Sequence, residues 1–312
     1  MALLRGAGGG GVGVGGGTSV VDVDGVPVFA KRIPITGREL GRPLSTANLS
    51  GLPVCCQFGM YRLAGPGFGA WRELAANLVV TDGVLAGEAE CFPLLYHWRV
   101  LPGRPPIASE HEDVDAVVAQ FGGSAAVRAR FEELAGATSS LVLFLEYVPG
   151  SVDTWLSDPA ARAGTVERQL SEIVDFLRGR ELLHMDGHFG NVRADADRIY
   201  LVDFGLATSP RFDLSDAEHD FVARHAGHDA DYAAMRLVNW LVSTVGGVPA
   251  PPGGAPVARD LYVRRCATGD IPPDVPPAVA GILARHAPAA TRMNDFCRRL
   301  YDGDLRAEYP GP

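Results

Sequence analysis

Apolar and polar positions fall into two regimes along this chain. Over the first half, apolar residues come in short β-branched or continuous runs; further on they recur at helical spacing. Thr18 to Val23 predicts a strand, Asp24-Gly25 a tight hairpin turn, and Val26 to Ile33 a second strand. Trp71, Leu74 and Leu78 predict a helix over Phe68 to Leu85, with a strand over Phe92 to Leu101. The unbroken run Leu141 to Tyr147 reads as a buried strand that stops at Val148-Pro149-Gly150. Residues 102–140 are polar with a helical flavour and read as an insertion, while Arg32 to Pro66 shows no clear period.

In the second half, Val166, Leu170, Ile173, Val174 and Leu177 mark an amphipathic helix after a candidate N-cap at Thr165. Val192 to Val202 predicts a hairpin around Asp195-Ala196-Asp197. Ala234, Leu237, Val238, Leu241, Val242 and Val245 describe a strongly apolar helix, opened by Asp231. Pro249 to Pro256 reads as a linker and Pro277 to Tyr301 as two short helices. Strands first and helices after predict an α+β fold of two lobes, 1–147 and 148–312.

Composition narrows the function classes. With 312 residues and 47% hydrophobic content a sizeable core is expected. No apolar run reaches the length of a membrane helix, and the glycine-rich start lacks a cationic segment leading into an apolar one. Five scattered cysteines without a CxxC pair support neither a zinc site nor a disulfide framework, so a reducing, cytoplasmic setting is expected. A net charge of −9 argues against a nucleic-acid partner. Of 28 basic residues all but Lys31 are arginine. A lysine kept against that bias marks a position where a compact ammonium serves and a planar fork does not.

The chemistry concentrates in His184-Met185-Asp186-Gly187-His188-Phe189-Gly190-Asn191, followed after a hairpin by Asp203-Phe204-Gly205. The pair HxDxxxxN and DFG resembles the protein-kinase-like superfamily. The resemblance extends to Val28-Phe29-Ala30-Lys31, similar to the strand segment that carries the phosphate-binding lysine, and to Leu145 to Gly150, similar to the hinge that reads adenine. It implies ATP and Mg²⁺. Lys31 would bind the α- and β-phosphates, Asp186 would accept the proton of the attacking hydroxyl, and Asn191 and Asp203 would hold the metal. His188 stands where Ser/Thr protein kinases carry a lysine, as in antibiotic phosphotransferases and UbiB-like kinases. Gly11, Gly13 and Gly16 satisfy GxGxxG one hairpin ahead of Lys31 and would cover the phosphates. Glu146 and Val148 would offer backbone groups to the base. Glu73 is the expected partner of Lys31, with Glu39 the competitor. Asp231 is the expected brace of the catalytic loop near His184, and His184 itself is expected to be a core histidine.

The acceptor stays open between a protein Ser/Thr hydroxyl, towards which the reading leans, and a small molecule such as an aminoglycoside. The acidic run Asp213 to Asp220 could cradle a cation or lie in a solvated loop. Thr208 and Ser209 are candidates for regulatory phosphorylation. A pseudokinase scaffold is a third reading, disfavoured by the retained Lys31, Asp186, Asn191 and Asp203.

Overall fold

A computed structural model describes residues 11–13, 16–58, 63–156, 158–251 and 255–311. The chain is α+β, with a sheet-bearing N-terminal part and a helical C-terminal part. Strands β1 (Gly11–Gly13), β2 (Gly16–Val23), β3 (Val26–Ile35), β4 (Leu95–Pro102) and β5 (Ser139–Glu146) form one antiparallel sheet in the order β1-β2-β3-β5-β4. Asp24 and Gly25 both take positive φ in the β2–β3 turn, and Asp22 accepts a hydrogen bond from the Gly25 amide. In β5, Leu141, Val142 and Leu143 are fully buried, as the continuous apolar run predicts.

Helix α1 (Gly37–Leu40) follows β3. Helix α2 (Ala70–Leu85) packs Trp71 and Leu74 against Ile33, Ile35, Leu141 and Leu143 of the sheet. Its other end meets the C-terminal part at Gly83, where a Cβ would lie 2.2 Å from the Phe176 ring, so only glycine permits this approach. The insertion folds into α3 (Val114–Gln120) and α4 (Ala125–Ala135). Val117, Val118, Phe121, Val127 and Phe131 bury against Leu52, Cys56 and Phe68 in a small core of their own.

The C-terminal part is built on α6 (Pro159–Gly179), α8 (His228–Thr244), α9 (Val257–Ala267) and α10 (Pro277–Tyr301), which share the largest apolar core. A short strand β6 (Gly150–Ser151) leads into helix α5 (Val152–Trp155) and pairs with the hairpin β7 (Val192–Asp195) and β8 (Arg198–Leu201). No described helix is long and apolar enough to cross a membrane.

Three sequence expectations change. Helix α6 starts at Pro159 with Asp158 accepting from the Ala161 amide, so Thr165 lies inside the helix and caps nothing. A proline favours the first turn, where its missing N–H is no loss, and this outweighs the Thr signal six residues on. The segment 277–301 is one helix that carries Pro288 internally, stabilised by a face of Ile282, Leu283, Ala287, Ala290, Met293 and Phe296 in the core. The acidic run is no loop: most of it forms α7 (Asp216–Arg224), capped reciprocally by Ser215 and Glu218. The linker at 249–256 lies partly outside the described residues.

Candidate active site

The site assembles where β3, α2 and the two loops flanking the β7–β8 hairpin meet. Lys31, central in β3, is 5% exposed and sits between two carboxylates: its Nζ is 2.6 Å from Glu73 Oε1 and 2.7 Å from Asp203 Oδ1. Burial works against its charge, but Asp203 and Glu73 outweigh it, so the lysine is held protonated well above its ordinary value. Glu73 is buried in the first turn of α2, where a carboxylate also complements the helix dipole. Burial, with Asp203 close by, pushes it up to about 7 even though Lys31 opposes the shift. Burial also disfavours the charged Asp203, yet Lys31 and the Gly205 amide hold that carboxyl below its usual range.

Glu39, the competing partner, is engaged elsewhere. It closes a capping box with Thr36, accepts the Ala70 amide, and takes Arg130 of α4 through both carboxylate oxygens. It joins α1, the start of α2 and the insertion, and the Thr36-x-x-Glu39 spacing was the sequence signal for it.

The loop from His184 to Asn191 is held from both sides. His184 is 1% exposed; its Nε2 meets the Val202 carbonyl at 3.1 Å, and its Nδ1 accepts the Asp186 amide at 3.2 Å. Those two bonds specify a neutral ring with the proton on Nε2, in keeping with burial lowering its pKa. His184 is therefore a core histidine that positions the loop, as expected. The brace, however, is Asp229 and not Asp231. Asp229 accepts the amides of His184 at 2.6 Å and Met185 at 3.1 Å, and its Oδ1 also meets His228 Nδ1. Helix α8 begins at His228, three residues before the expected opening at Asp231, which turns Asp229 to the loop. Asp231 instead accepts the Tyr309 hydroxyl at 2.8 Å and faces Arg292.

Met185 and Asp203, both non-glycine, take φ of 66°, a left-handed conformation that the surrounding bonds must enforce. Asn191 donates through Nδ2 to the Asp186 carbonyl at 3.0 Å and to Asp186 Oδ2 at 3.1 Å. This fixes the Asp186 carboxylate and leaves Asn191 Oδ1 as an acceptor. Burial and the neighbouring Asp203 push Asp186 up to about 8. Asp186 Oδ1 has no hydrogen-bond partner among the described residues. His188 Nε2 lies 3.7 Å from Asp186 Oδ2, and burial, with Arg236 adding to it, lowers the pKa of His188 and favours the neutral ring.

The structure thus brings Lys31, Glu73, Asp186, His188, Asn191 and Asp203 together. Gly16, at the start of β2, borders the same space with φ of 123°, and a Cβ there would lie 2.2 Å from the Arg32 carbonyl oxygen. Gly11 and Gly13 pair with Thr18 and Gly16 in the β1–β2 ladder, and the turn at 14–15 lies outside the described residues. Glu146 and Val148 stand apart, at the end of β5. The Glu146 amide donates to Leu94 and the Val148 carbonyl accepts from Arg193, while the Val148 amide has no partner among the described residues. Thr208 and Ser209 are 1% and 3% exposed, which removes them as accessible modification sites in this conformation.

A cavity of about 630 Å³ opens from Asp186, Asp203 and Glu73 towards the insertion. Nothing in the sequence signals it, because its walls come from segments spread between Gly16 and Tyr232. Neither a protein-family model nor a curated protein matches the chain.

Proposed function

We propose that this chain is an ATP-dependent phosphotransferase of the protein-kinase-like type, moving the γ-phosphoryl group of MgATP to a hydroxyl. The observation that carries the reading is the chain's only lysine, buried between Glu73 and Asp203 beside the Asp186–Asn191 pair. Phosphoryl transfer asks little covalent work of a protein; it asks for placed charges.

Lys31 offers a fixed ammonium to phosphate oxygens, oriented by Glu73, while Gly16 brings its backbone close to the same space. Asn191 Oδ1 and Asp203 Oδ2 are the oxygen donors left over from internal hydrogen bonds, and they suit a hard divalent cation. A divalent cation held by these two side chains would have its shell completed by phosphate and water. Magnesium bound there would neutralise phosphate charge. Asp186, fixed by Asn191, is the carboxylate that receives the acceptor's proton. The Val148 amide, which has no partner among the described residues, is the donor offered to an adenine edge.

Calorimetric titration with ATP, with and without Mg²⁺, tests the reading when paired with Asp186→Asn. The variant is expected to bind MgATP within about threefold of wild type and to lose transfer by 10³-fold or more, on the order of 4 kcal/mol in the barrier. A wild-type chain that binds no nucleotide refutes the reading. A fully active Asp186→Asn removes Asp186 as the proton acceptor.

A further inference from the structure

The cavity beside Asp186 carries information about the acceptor, and the inference rests on the phosphotransferase reading. Its outer walls are the insertion and the loop before α2: Leu63, Ile107, Val114, Phe131 and Leu134 line it, with Leu206 at the floor near Asp203. Three of the polar side chains along these walls are spent on the protein itself. Arg130 holds Glu39, Glu73 holds Lys31, and Gln120 accepts the Ala64 amide. Most of the remaining surface is apolar, with Arg104, Glu110 and His111 adding polar groups along the strap, and about 630 Å³ is the size of a site for a small organic molecule.

The segment after β4 closes the space on the β2–β3 side. Arg32 donates to the Pro102 and Gly103 carbonyls, Ser140 donates to Gly103 at 2.7 Å, and Pro105 then crosses against Gly17. A Cβ on Gly17 would lie 2.8 Å from the Pro105 Cβ, so the strap lies directly on β2. The acidic run that could have cradled a cation lies mostly in helix α7 and contributes nothing to the described walls. A peptide acceptor would bring backbone N–H and C=O groups that these walls leave unpaired, a cost of about 1–3 kcal/mol for each one buried.

We propose that the acceptor is a small alcohol or phenol with an apolar body, seated between α4, the strap and the loop before α2, its hydroxyl against Asp186. The acceptor oxygen forms a bond to the γ-phosphorus as the bond from that phosphorus to the bridging oxygen breaks. The hydroxyl proton passes to Asp186, and ADP leaves with the electron pair. Specificity then resides in the insertion, which the phosphate-binding machinery does not use.

The test presents the full chain and γ-labelled MgATP with 2-naphthol, a set of related phenols and alicyclic alcohols, dephosphorylated casein and kanamycin. Label is expected on a phenol or alicyclic alcohol. Leu134→Trp, which fills the cavity from α4, is expected to raise that acceptor's KM at least tenfold while the Kd for MgATP stays within twofold. Val114→Phe serves the same purpose should the tryptophan variant fail to fold. Bound MgATP with label on casein, on kanamycin, on the chain itself or on nothing overturns the apolar acceptor and leaves the nucleotide site standing. An unchanged KM in a folded plugging variant overturns it as well. Failure to bind MgATP at all sinks the phosphotransferase reading instead.

Discussion

Arg72 precedes Glu73 on α2 and ties that helix to α7, so its loss tests whether the position of Glu73 is built from outside the site. The Arg72 side chain is 2% exposed; its Nη2 reaches Glu218 Oε1 at 2.7 Å and its Nε donates to the Thr46 carbonyl at 2.6 Å. Glu218 is similarly buried. Removing one member of a buried pair costs about 3–5 kcal/mol, because the survivor keeps its charge without its partner. Arg72→Met should fall at the low end, about 3 kcal/mol. Methionine refills part of the volume, and Glu218 still accepts from the Ser215 amide and hydroxyl. Burial alone pushes the Glu218 carboxyl up, and Arg72 together with Ser215 more than offsets that. Without Arg72 the carboxyl therefore regains protons at higher pH. Urea unfolding followed by tryptophan fluorescence reads the loss, as a lower midpoint at unchanged slope. Adding Glu218→Leu to Arg72→Met should recover part of it, giving a coupling energy of about 1.5 kcal/mol or more. A single-variant loss under about 1 kcal/mol, or strict additivity, would show the pair to be no anchor.

Asp229→Ala removes the acceptor of two loop amides and of His228, and is expected to cost about 2–4 kcal/mol by thermal unfolding, with transfer falling alongside. Asp231→Ala should spare the loop; equal effects on transfer would contradict the assignment of the brace. Burial lowers His225 from 6.5 to about 4, despite its bond to the Phe221 carbonyl. The unfolded chain therefore binds the extra proton first, and this group's contribution is complete above pH 6.5 and lost as pH falls towards 4. His225→Phe, which keeps the stacking on Phe221 and Tyr309, should flatten the Tm profile over that window, and an unaltered profile would argue against it.

What the sequence made legible was local and periodic. The strand pair around Asp24-Gly25, the run Leu141 to Tyr147 and the helix from Trp71 follow from patterning over a few residues, and each lands within a turn of its predicted limits. Lys31 and Glu73 could be paired because the helix was visible, although 42 positions separate them. The brace was misplaced by two residues because apolar periodicity dates a helix from its first buried turn, whereas α8 opens one polar turn earlier. Glu39 and Glu218 both carried capping spacings, yet their arginine partners lie 91 and 146 positions away, a distance no local pattern spans. The single α10 shows burial overriding a proline that local propensity would have used to end the helix. The cavity, walled by segments spread across the chain, had no local signature at all.

The central claim is that Lys31 is placed for phosphate and not for general cationic charge. Wild type and Lys31→Arg, compared side by side for transfer of label from γ-labelled MgATP, test it most directly. The wider guanidinium cannot occupy a buried point 2.6 Å from Glu73 and 2.7 Å from Asp203 without displacing one of them. Transfer is predicted to fall by about 10²-fold or more in a variant that stays folded. Near-normal transfer by Lys31→Arg would contradict the account and make the chain's single lysine an accident of composition.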